Sequence, residues 1–228
     1  MTLTFCSDVT PADRIAGSDL PWQRLVGFGP DGFDAYARLR LLPDPAWPGQ
    51  SENEAAGDWR LDQSPLLFDV LATATSTPDD CYFCVWEGLS TIGGGIVTDP
   101  GPVYVDEDTP AGLHWNPDAR PAVAPWVSAS RPSLPKVEVP NRAYFLFRGP
   151  LADLGGWDTA RDLPAECRLG DAEAAYVWPA DRAWCTARDV DQHWVGVGAN
   201  RDVISRLVAD PRLDVVPADP REQQPYYQ

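Results

Sequence analysis

Two runs of strand length consist almost entirely of apolar residues, and they constrain the fold of this chain more than any other feature. They are CYFCVWEG (81–88) and AYFLFRG (143–149). A continuous apolar run, unlike an alternating one, is typical of a strand that is buried on both faces. We therefore predict a buried strand at each position and expect the second to be central in its sheet.

Shorter or alternating patterns predict the other strands. FDAYARLRLL (33–42) alternates with the period of a half-buried strand, although each of its residues also tolerates a helix. RAWCTARDV (182–190) and HWVGVG (193–198) are typical of a hairpin whose turn lies near residues 191–192. The remaining predicted strands are PWQRLVGFG (21–29), VYV (103–105), KVEVP (136–140), AYVW (175–178) and LDVVPA (213–218).

Two main helices are predicted, at about 64–76 and at 201–209, because each segment carries an apolar stripe with helical spacing. Ser64 can cap the first helix, with Pro65 at its first position. Asn200 can cap the second helix.

Strands and helices are intermixed without a regular alternation, and several neighbouring strands look antiparallel. The predicted fold class is therefore α+β: a mixed, mostly antiparallel sheet with the two helices packed on it. We expect a single domain over residues 1–228 with a long irregular segment at 89–135, which is also the boundary if there are two domains. REQQPYYQ (221–228) is expected to be loose.

The chain is strongly acidic, with a formal net charge of −16 from 18 basic and 34 acidic residues. Binding to nucleic acid depends on lysine and arginine near phosphates, so we expect no nucleic-acid partner. The negative charge also disfavours binding to anionic membrane surfaces. A basic protein partner fits the sign of the charge, and so does a simple gain in solubility.

Three features predict a cytoplasmic protein. No apolar stretch reaches the length of about 18 residues that predicts a transmembrane helix. The first residues lack the charged start and apolar run of a signal peptide. The odd number of cysteines, 5, fits free thiols in a reducing compartment better than a disulfide framework. The excess of arginine over lysine is typical of a GC-rich bacterial genome.

Cys81 and Cys84 have the CxxC spacing of zinc and redox sites. A structural zinc site needs four ligands, and the chain has no second CxxC. In a strand, residues i and i+3 point to opposite faces, so these thiols cannot converge on one ion without a turn. We therefore interpret both as buried apolar side chains and predict no metal and no cofactor.

The segment from Gly196 to Arg201 follows a strand and opens a helix, which is the context of a phosphate-binding turn. Arg201 occupies the third glycine position of that motif and could add a positive charge to such a site. Only one strand is predicted after the helix, so no dinucleotide-binding domain can follow. The alternative is a glycine-assisted turn from strand to helix.

Asp189, Asp191 and His193 occupy alternate positions. In an extended chain all three would face one way, with about 7 Å between neighbours, because a strand rises about 3.4 Å per residue. Carboxylates and an imidazole suit a divalent metal or a general base. The same residues also fall at the predicted hairpin turn, where aspartate is common for backbone reasons.

The segment WPADRAW (178–184) is another candidate ligand-binding site. Trp178 and Trp184 flank Asp181 and Arg182, and an Asp–Arg pair between aromatic rings could bind a planar or anionic ligand. The alternative is a tight corner held by an ion pair beneath two core tryptophans. The 10 Trp, 7 Tyr and 7 Phe likewise predict a large aromatic core, with a binding groove as the alternative.

Four parts of the chain have a recognisable sequence, and two of them contain the motifs CYFxVWEG and WPxDRAW. They are GFGPDGFDAYARLRLLPDP (27–45), TPDDCYFCVWEG (77–88), SLPKVEVPNRAYFLFRGP (133–150) and WPADRAWCTARDVD…WVGVG…LVADPRLDVVP (178–217). Together they resemble a widespread uncharacterised bacterial family, a domain of unknown function from GC-rich genomes. The resemblance spans most of the chain and implies a single unit, but it implies no activity, cofactor or catalytic residue.

Two functions remain open from the sequence. Acidity, aromatic content and the long irregular segment favour a non-enzymatic accessory or immunity-like protein that binds another protein. The alternative is an enzyme or small-molecule-binding protein with a pocket near residues 178–201. The nucleophile motif GxSxG is absent and two histidines offer little for a Ser/His/Asp triad, so whether the chain is an enzyme stays open.

Overall fold

The computed structural model of the protein describes residues 2–55, 63–89, 91–92, 95–96, 134–164, 167–189 and 192–228. The strands within these ranges are β1 (Thr4–Phe5), β2 (Ala35–Arg40), β3 (Cys81–Trp86), β4 (Thr91–Ile92), β5 (Gly95–Ile96), β6 (Val137–Val139), β7 (Arg142–Gly149), β8 (Cys167–Arg168), β9 (Ala174–Pro179), β10 (Trp184–Ala187), β11 (Trp194–Ala199) and β12 (Val215–Ala218). The α-helices are α1 (Asp13–Ala16), α2 (Trp22–Phe28), α3 (Ser64–Ala72) and α4 (Arg201–Ala209). Short 3-10 helices include Thr10–Ala12, Glu52–Glu54, Glu87–Leu89, Leu151–Asp153 and Trp157–Thr159.

Nine of the strands form one sheet in the order β1-β7-β3-β9-β10-β11-β2-β12, and β6 pairs with β7 in addition. The strand pairs described in this sheet are antiparallel. A second, small sheet has the order β5-β4-β8. The predicted fold class, α+β with a mostly antiparallel sheet, is therefore confirmed.

The two apolar runs form β3 and β7, which pair side by side inside the sheet. Phe83 of β3 lies opposite Phe147 of β7 on one side and opposite Val177 of β9 on the other. All three side chains are buried. The prediction of two buried strands is confirmed, but β7 is not central, because the short β1 and β6 are its described neighbours on the outer side.

The other predicted strands are mostly confirmed as well. The strands expected at 33–42, 136–140, 175–178 and 213–218 are β2, β6, β9 and β12, and the expected hairpin consists of β10 and β11. The strand expected at 103–105, like most of the segment 89–135, lies outside the described residues.

The sheet is apolar on both of its faces, so it separates two cores. On the first face, helices α3 and α4 cover a cluster that includes Phe83, Phe147 and Trp184. On the second face, α1 and α2 cover a cluster that includes Leu146 and Tyr176. Successive residues of β3 and β7 alternate between the two clusters, as strand geometry requires.

The strand predicted at 21–29 is wrong, because this segment forms helix α2. Pro21 has an extended backbone before the helix, with φ −51° and ψ 138°, and Gly29 ends the helix with φ 75°. Leu25 and Phe28 are buried three residues apart, which is the spacing of an apolar helical face. A proline just before an apolar segment and a glycine just after it are the signals that favour a helix here.

Helices form at both of the predicted positions. The described residues contain four α-helices, however, so the prediction of two main helices is not confirmed. Helix α3 ends at Ala72 and not near residue 76. The hydroxyl of Thr73 donates a hydrogen bond of 2.7 Å to the carbonyl oxygen of Val70, a local bond that competes with helix continuation. None of the helices in the described ranges has the length and apolar character needed to cross a bilayer.

Candidate functional site

The two tryptophans of WPADRAW lie on opposite faces of the sheet. Trp178 is on the second face, stacked on Tyr82 with ring centroids 5.5 Å apart and 15° between the ring planes. Trp184 is fully buried on the first face, where its indole Nε1 donates a hydrogen bond of 2.9 Å to the carbonyl oxygen of Leu71. The cavity that residues Trp178, Arg182 and Trp184 help to line has a volume of about 20 Å³, which is too small for a ligand.

Asp181 holds a turn and is not paired with Arg182. Its carboxylate accepts hydrogen bonds of 2.8 Å from the hydroxyl of Thr75 and from both the backbone N–H and the hydroxyl of Ser76. Burial alone would raise the pKa of this carboxyl, but the hydrogen bonds lower it on balance. Arg182 is exposed and has φ 55°. Asp181 therefore ties the turn before β10 to the loop before β3.

Asp189 is paired with an arginine that lies between two tryptophans. Its oxygens accept hydrogen bonds of 3.1 and 3.2 Å from Arg142. The guanidinium lies 5.5 Å from the ring centroid of Trp22 and 5.1 Å from that of Trp86. Asp191 lies outside the described residues. In the part of the chain that the structure describes, no three His, Cys, Asp or Glu side chains are grouped as a metal site requires.

The glycines of the predicted phosphate-binding turn make room for packing on the second face. A methyl group at Gly196 would overlap a carbonyl oxygen of helix α2, and one at Gly198 would overlap the ring of Phe33. Asn200 accepts a hydrogen bond of 2.9 Å from a backbone N–H in the first turn of α4, so the predicted cap is present. Arg201 is exposed at the start of that helix.

Cys81 and Cys84 belong to the cores on opposite faces of the sheet, as the strand argument predicts. Burial raises the pKa of Cys81 to about 12. Burial also raises the pKa of Cys84 well above its usual value. Both thiols are therefore neutral at neutral pH and pack as small apolar side chains.

An apolar groove with an acidic rim lies outside the first face, between helix α3 and the loops at 151–157 and 171–174. Its volume is about 640 Å³, which is ample for a ligand or for side chains of a partner protein. Its apolar lining includes Leu67, Phe68, Leu151, Leu154, Trp157 and Ala172. Its rim carries four exposed carboxylates, those of Asp69, Asp79, Asp171 and Glu173. We call this feature the acidic groove.

Most of the carboxylates of the acidic groove are not paired in salt bridges with the described residues. Arg188 forms an ion pair with Glu173, while its Nε atom is buried and has no hydrogen-bond partner among the described residues. Asp69, Asp79 and Asp171 form no salt bridge with any residue in the described ranges. Three exposed carboxylates beside an apolar floor therefore favour a ligand that is both basic and apolar.

A second cavity, of about 870 Å³, lies between helix α2, the start of β11 and residues 220–227. Its aromatic lining consists of Phe28, Trp194, Tyr226 and Tyr227. Its polar lining includes Gln23, Glu52, Gln192, His193 and Glu222. We call it the His193 cavity, because His193 is the one described residue among those predicted for a binding site that lines it.

The segment REQQPYYQ, which the sequence predicts to be loose, is docked on the protein and closes one side of the His193 cavity. The hydroxyl of Tyr227 donates a hydrogen bond to a carbonyl oxygen in the loop after β2. Its ring meets that of His193 nearly edge-on, with centroids 4.8 Å apart. The backbone N–H of Gln228 donates a hydrogen bond of 3.0 Å to the carbonyl oxygen of Gln50. These long-range contacts explain why the prediction is wrong.

Asp44 is the centre of a charge network behind His193. Arg38, which is 5% exposed, donates two hydrogen bonds to Asp44 at 2.7 and 3.1 Å. Arg40 lies 3.6 Å from Asp44 and pairs with Asp214 at 2.6 Å. His193 Nε2 lies 3.5 Å from Asp44 Oδ1. The imidazole therefore lies against the carboxylate of Asp44 without a hydrogen bond to it.

The same network determines two protonation states. Burial alone would raise the pKa of Asp44, but the hydrogen bonds and charge of Arg38 lower it on balance. Burial lowers the pKa of His193 more than the neighbouring Asp44 raises it. The carboxylate is therefore ionised and the imidazole neutral at neutral pH.

Comparison with known proteins identifies no related protein. No protein-family model matches the chain, and searches of curated proteins and of solved structures give no significant match. The resemblance to an uncharacterised bacterial family therefore stays a prediction. Function has to be argued from the geometry of the two cavities.

Proposed function

We propose that the protein is a non-enzymatic protein that binds another protein, and that the acidic groove is the binding surface. The observation that carries the proposal is the combination of an apolar floor with exposed carboxylates at the rim. An apolar cleft alone would suit many ligands, whereas carboxylates around it select a basic one.

The partner is expected to present an apolar side chain next to at least one arginine or lysine. The apolar side chain would contact Phe68, Leu154 and Ala172 in the floor, where removal of apolar surface from water supplies affinity. The basic side chain would pair with Asp69 or Asp171 at the rim. Charges at a rim affect the association rate and the choice of partner more than the affinity.

The proposal includes a cytoplasmic location and an accessory or immunity-like role in a bacterial family. Five free cysteines support a reducing compartment. The net charge of −16 supports a basic partner and disfavours nucleic acid. The genes beside that of this protein are the first place to look for the partner.

Site-specific photo-crosslinking in the native host tests the proposal. A benzophenone side chain at Ala152, an exposed residue of the acidic groove, should crosslink to a partner protein on irradiation. The matched control carries the same group at Asp19, which is exposed between helices α1 and α2. A partner that is crosslinked from position 152 and not from position 19 would support the proposal.

The charge requirement is tested in the same cells. Exchange of Asp69, Asp79 and Asp171 for asparagine should weaken the crosslink from Ala152, because each exposed ion pair contributes about 0.2–1 kcal/mol. A partner that crosslinks equally well from both positions, or the absence of any crosslink from Ala152, would contradict the proposal.

A further inference from the structure

Phe68 and Leu154 form an accessible apolar part of the floor of the acidic groove. Both side chains line the groove and are half-buried, so part of their surface is open to a partner. The ring of Phe68 packs against that of Trp184 with centroids 6.4 Å apart, and is therefore supported from the core. A flat side chain that enters between helix α3 and the loop at 151–157 would meet an aromatic ring here.

Thr186 of β10 is a polar residue at the bottom of the same groove. Its partners across the sheet are Val177 of β9 and Val197 of β11, which are both buried. Side chains alternate along a strand, so Thr186 projects to the first face, like Trp184 two residues before it. Its hydroxyl therefore lies among apolar side chains on the side of the sheet where the groove is found.

The hydroxyl of Thr186 has no hydrogen-bond partner. The buried polar side chains in the described ranges are those of Arg38, Gln50, Thr186 and His193. Arg38 and Gln50 form hydrogen bonds, whereas the hydroxyl of Thr186 forms none with any residue that the structure describes. Thr186 is only 2% exposed, but its hydroxyl is not among the fully enclosed atoms without a partner. The hydroxyl is therefore open to the groove that it lines.

This hydroxyl restricts the chemistry of whatever fills the groove. A partner that displaces solvent from the floor has to supply the lost hydrogen bond itself. Arg188, two residues after Thr186, projects to the same face and pairs with Glu173. Its guanidinium disfavours a second cation at the floor, and the carboxylates of the rim disfavour an anion. The matching group is therefore neutral and able to donate or accept, as a hydroxyl is.

We propose that the partner protein inserts a tyrosine into the acidic groove and that a basic residue lies next to this tyrosine. The ring packs on Phe68 and Leu154, its hydroxyl bonds to that of Thr186, and the basic residue pairs with the rim. Tyrosine combines a large apolar surface with one hydroxyl, and its few rotatable bonds limit the entropy lost on insertion. The inference rests on the proposed function and names the partner chemistry that the same groove selects.

Isothermal titration of the complete chain with capped tripeptides tests the inference. The probes are Arg-Tyr-Arg and Arg-Phe-Arg, each acetylated and amidated and used at millimolar concentration. Arg-Tyr-Arg should bind about threefold to tenfold more tightly, because only tyrosine restores the hydrogen bond at the floor. Equal affinities, or the absence of binding by both peptides, would overturn the tyrosine anchor.

A third peptide, Glu-Tyr-Glu, tests the rim separately from the floor. It should bind more weakly than Arg-Tyr-Arg, because its carboxylates face those of the rim. Equal binding of these two peptides would contradict the charge requirement of the proposed function, whereas the comparison of tyrosine with phenylalanine decides the anchor.

Two substitutions at one position locate the hydrogen bond. Thr186→Val removes the hydroxyl, which has no partner to lose, and keeps a side chain that favours a strand. This variant should bind Arg-Tyr-Arg and Arg-Phe-Arg equally, whereas Thr186→Ser, the matched control, should keep the preference for tyrosine. A preference that survives in Thr186→Val would overturn the inference. Crosslinking from Ala152 does not depend on the anchor, so a failure of the tyrosine anchor is distinguishable from a failure of the proposed function.

Discussion

The two faces of the sheet differ in what holds them together. The first face, beneath helices α3 and α4, depends mainly on apolar contacts such as those of Phe147 and Trp184. The second face, beneath α1 and α2, combines an apolar cluster with charged pairs, of which Arg38–Asp44 is the most buried. Apolar packing fixes volume, whereas hydrogen-bonded charges also fix the orientation of individual side chains.

Each of the two cavities lies beside one of these faces. The acidic groove lies outside the first face, where the loops before β3 and β9 approach helix α3. The His193 cavity lies next to the charge network of the second face, in which Nε2 of His193 lies 3.5 Å from Oδ1 of Asp44. The first face should therefore respond mostly to loss of volume, and the second mostly to loss of charge pairing.

The largest effect is expected on the first face, from Trp184→Ala. The indole is fully buried and donates a hydrogen bond to Leu71, so the free energy of unfolding should fall by about 3–5 kcal/mol. Urea unfolding followed by far-UV circular dichroism measures this loss. Trp47→Ala, at a half-exposed ring, should change it by less than about 0.5 kcal/mol. Equal losses in the two variants would break the contrast between core and surface tryptophans.

The next largest effect is expected on the second face, from Asp44→Ala. This change leaves the buried guanidinium of Arg38 without its partner and should cost about 2–3 kcal/mol. The partial exposure of Asp44 keeps the loss below that of a fully buried pair. Urea unfolding again provides the measurement.

Two further variants sharpen this prediction. The double variant Arg38→Met with Asp44→Leu should recover much of the stability, because no unpaired charge is left buried. Arg212→Ala removes an ion pair whose arginine is 63% exposed and should leave stability unchanged within error. A double variant less stable than Asp44→Ala would show that packing and not charge dominates this face.

The smallest effect is expected on the pH dependence of the free energy of unfolding, through His193. Burial holds the pKa of this imidazole below 6.5, so the unfolded chain takes up a proton before the folded one does. Stability should therefore decrease as the pH falls below about 6.5. The charged groups that face His193 are Asp44, Arg38 and Glu52.

His193→Gln is the variant that isolates this effect. Its free energy of unfolding should change less between about pH 5.5 and 7.5 than that of the unaltered chain, because one titrating group is removed. Urea unfolding at both pH values gives the comparison. An identical pH dependence in both proteins would assign the effect to other groups.

Sequence patterns predict the elements whose burial is encoded within a few residues. The apolar runs predict β3 and β7 because burial on both faces leaves no room for polar residues in either strand. The cap at Asn200 is predictable because a helix start leaves local N–H groups unpaired. The sequence pattern does not predict helix α2, because seven residues are too few to distinguish the helical period of 3.6 residues from the strand period of 2. Helix α2 also contacts β11 closely at Gly196, and a local sequence pattern cannot reveal this long-range contact.

The binding surfaces are less predictable, because their residues come from distant segments. The carboxylates of the acidic groove belong to helix α3, the loop before β3 and the loop before β9, and no local pattern joins them. His193 is a sequence-predicted residue that does line a cavity, but its neighbours Asp44 and Tyr227 lie far from it in the chain. Trp178 and Trp184 lie on opposite faces of the sheet, and Asp189 and His193 have different neighbours, Arg142 and Asp44.

The most direct test of partner binding compares two sets of charge changes. The first set neutralises the rim of the acidic groove with Asp69→Asn, Asp79→Asn and Asp171→Asn. The control set reduces the net negative charge by the same amount at exposed positions elsewhere, with Asp19→Asn, Asp34→Asn and Glu138→Gln. The measurement is the affinity of each protein for the partner captured from position 152. The account predicts a loss of about tenfold for the first set, from about 1.4 kcal/mol over three ion pairs, and little change for the control. Equal losses in both sets would contradict it.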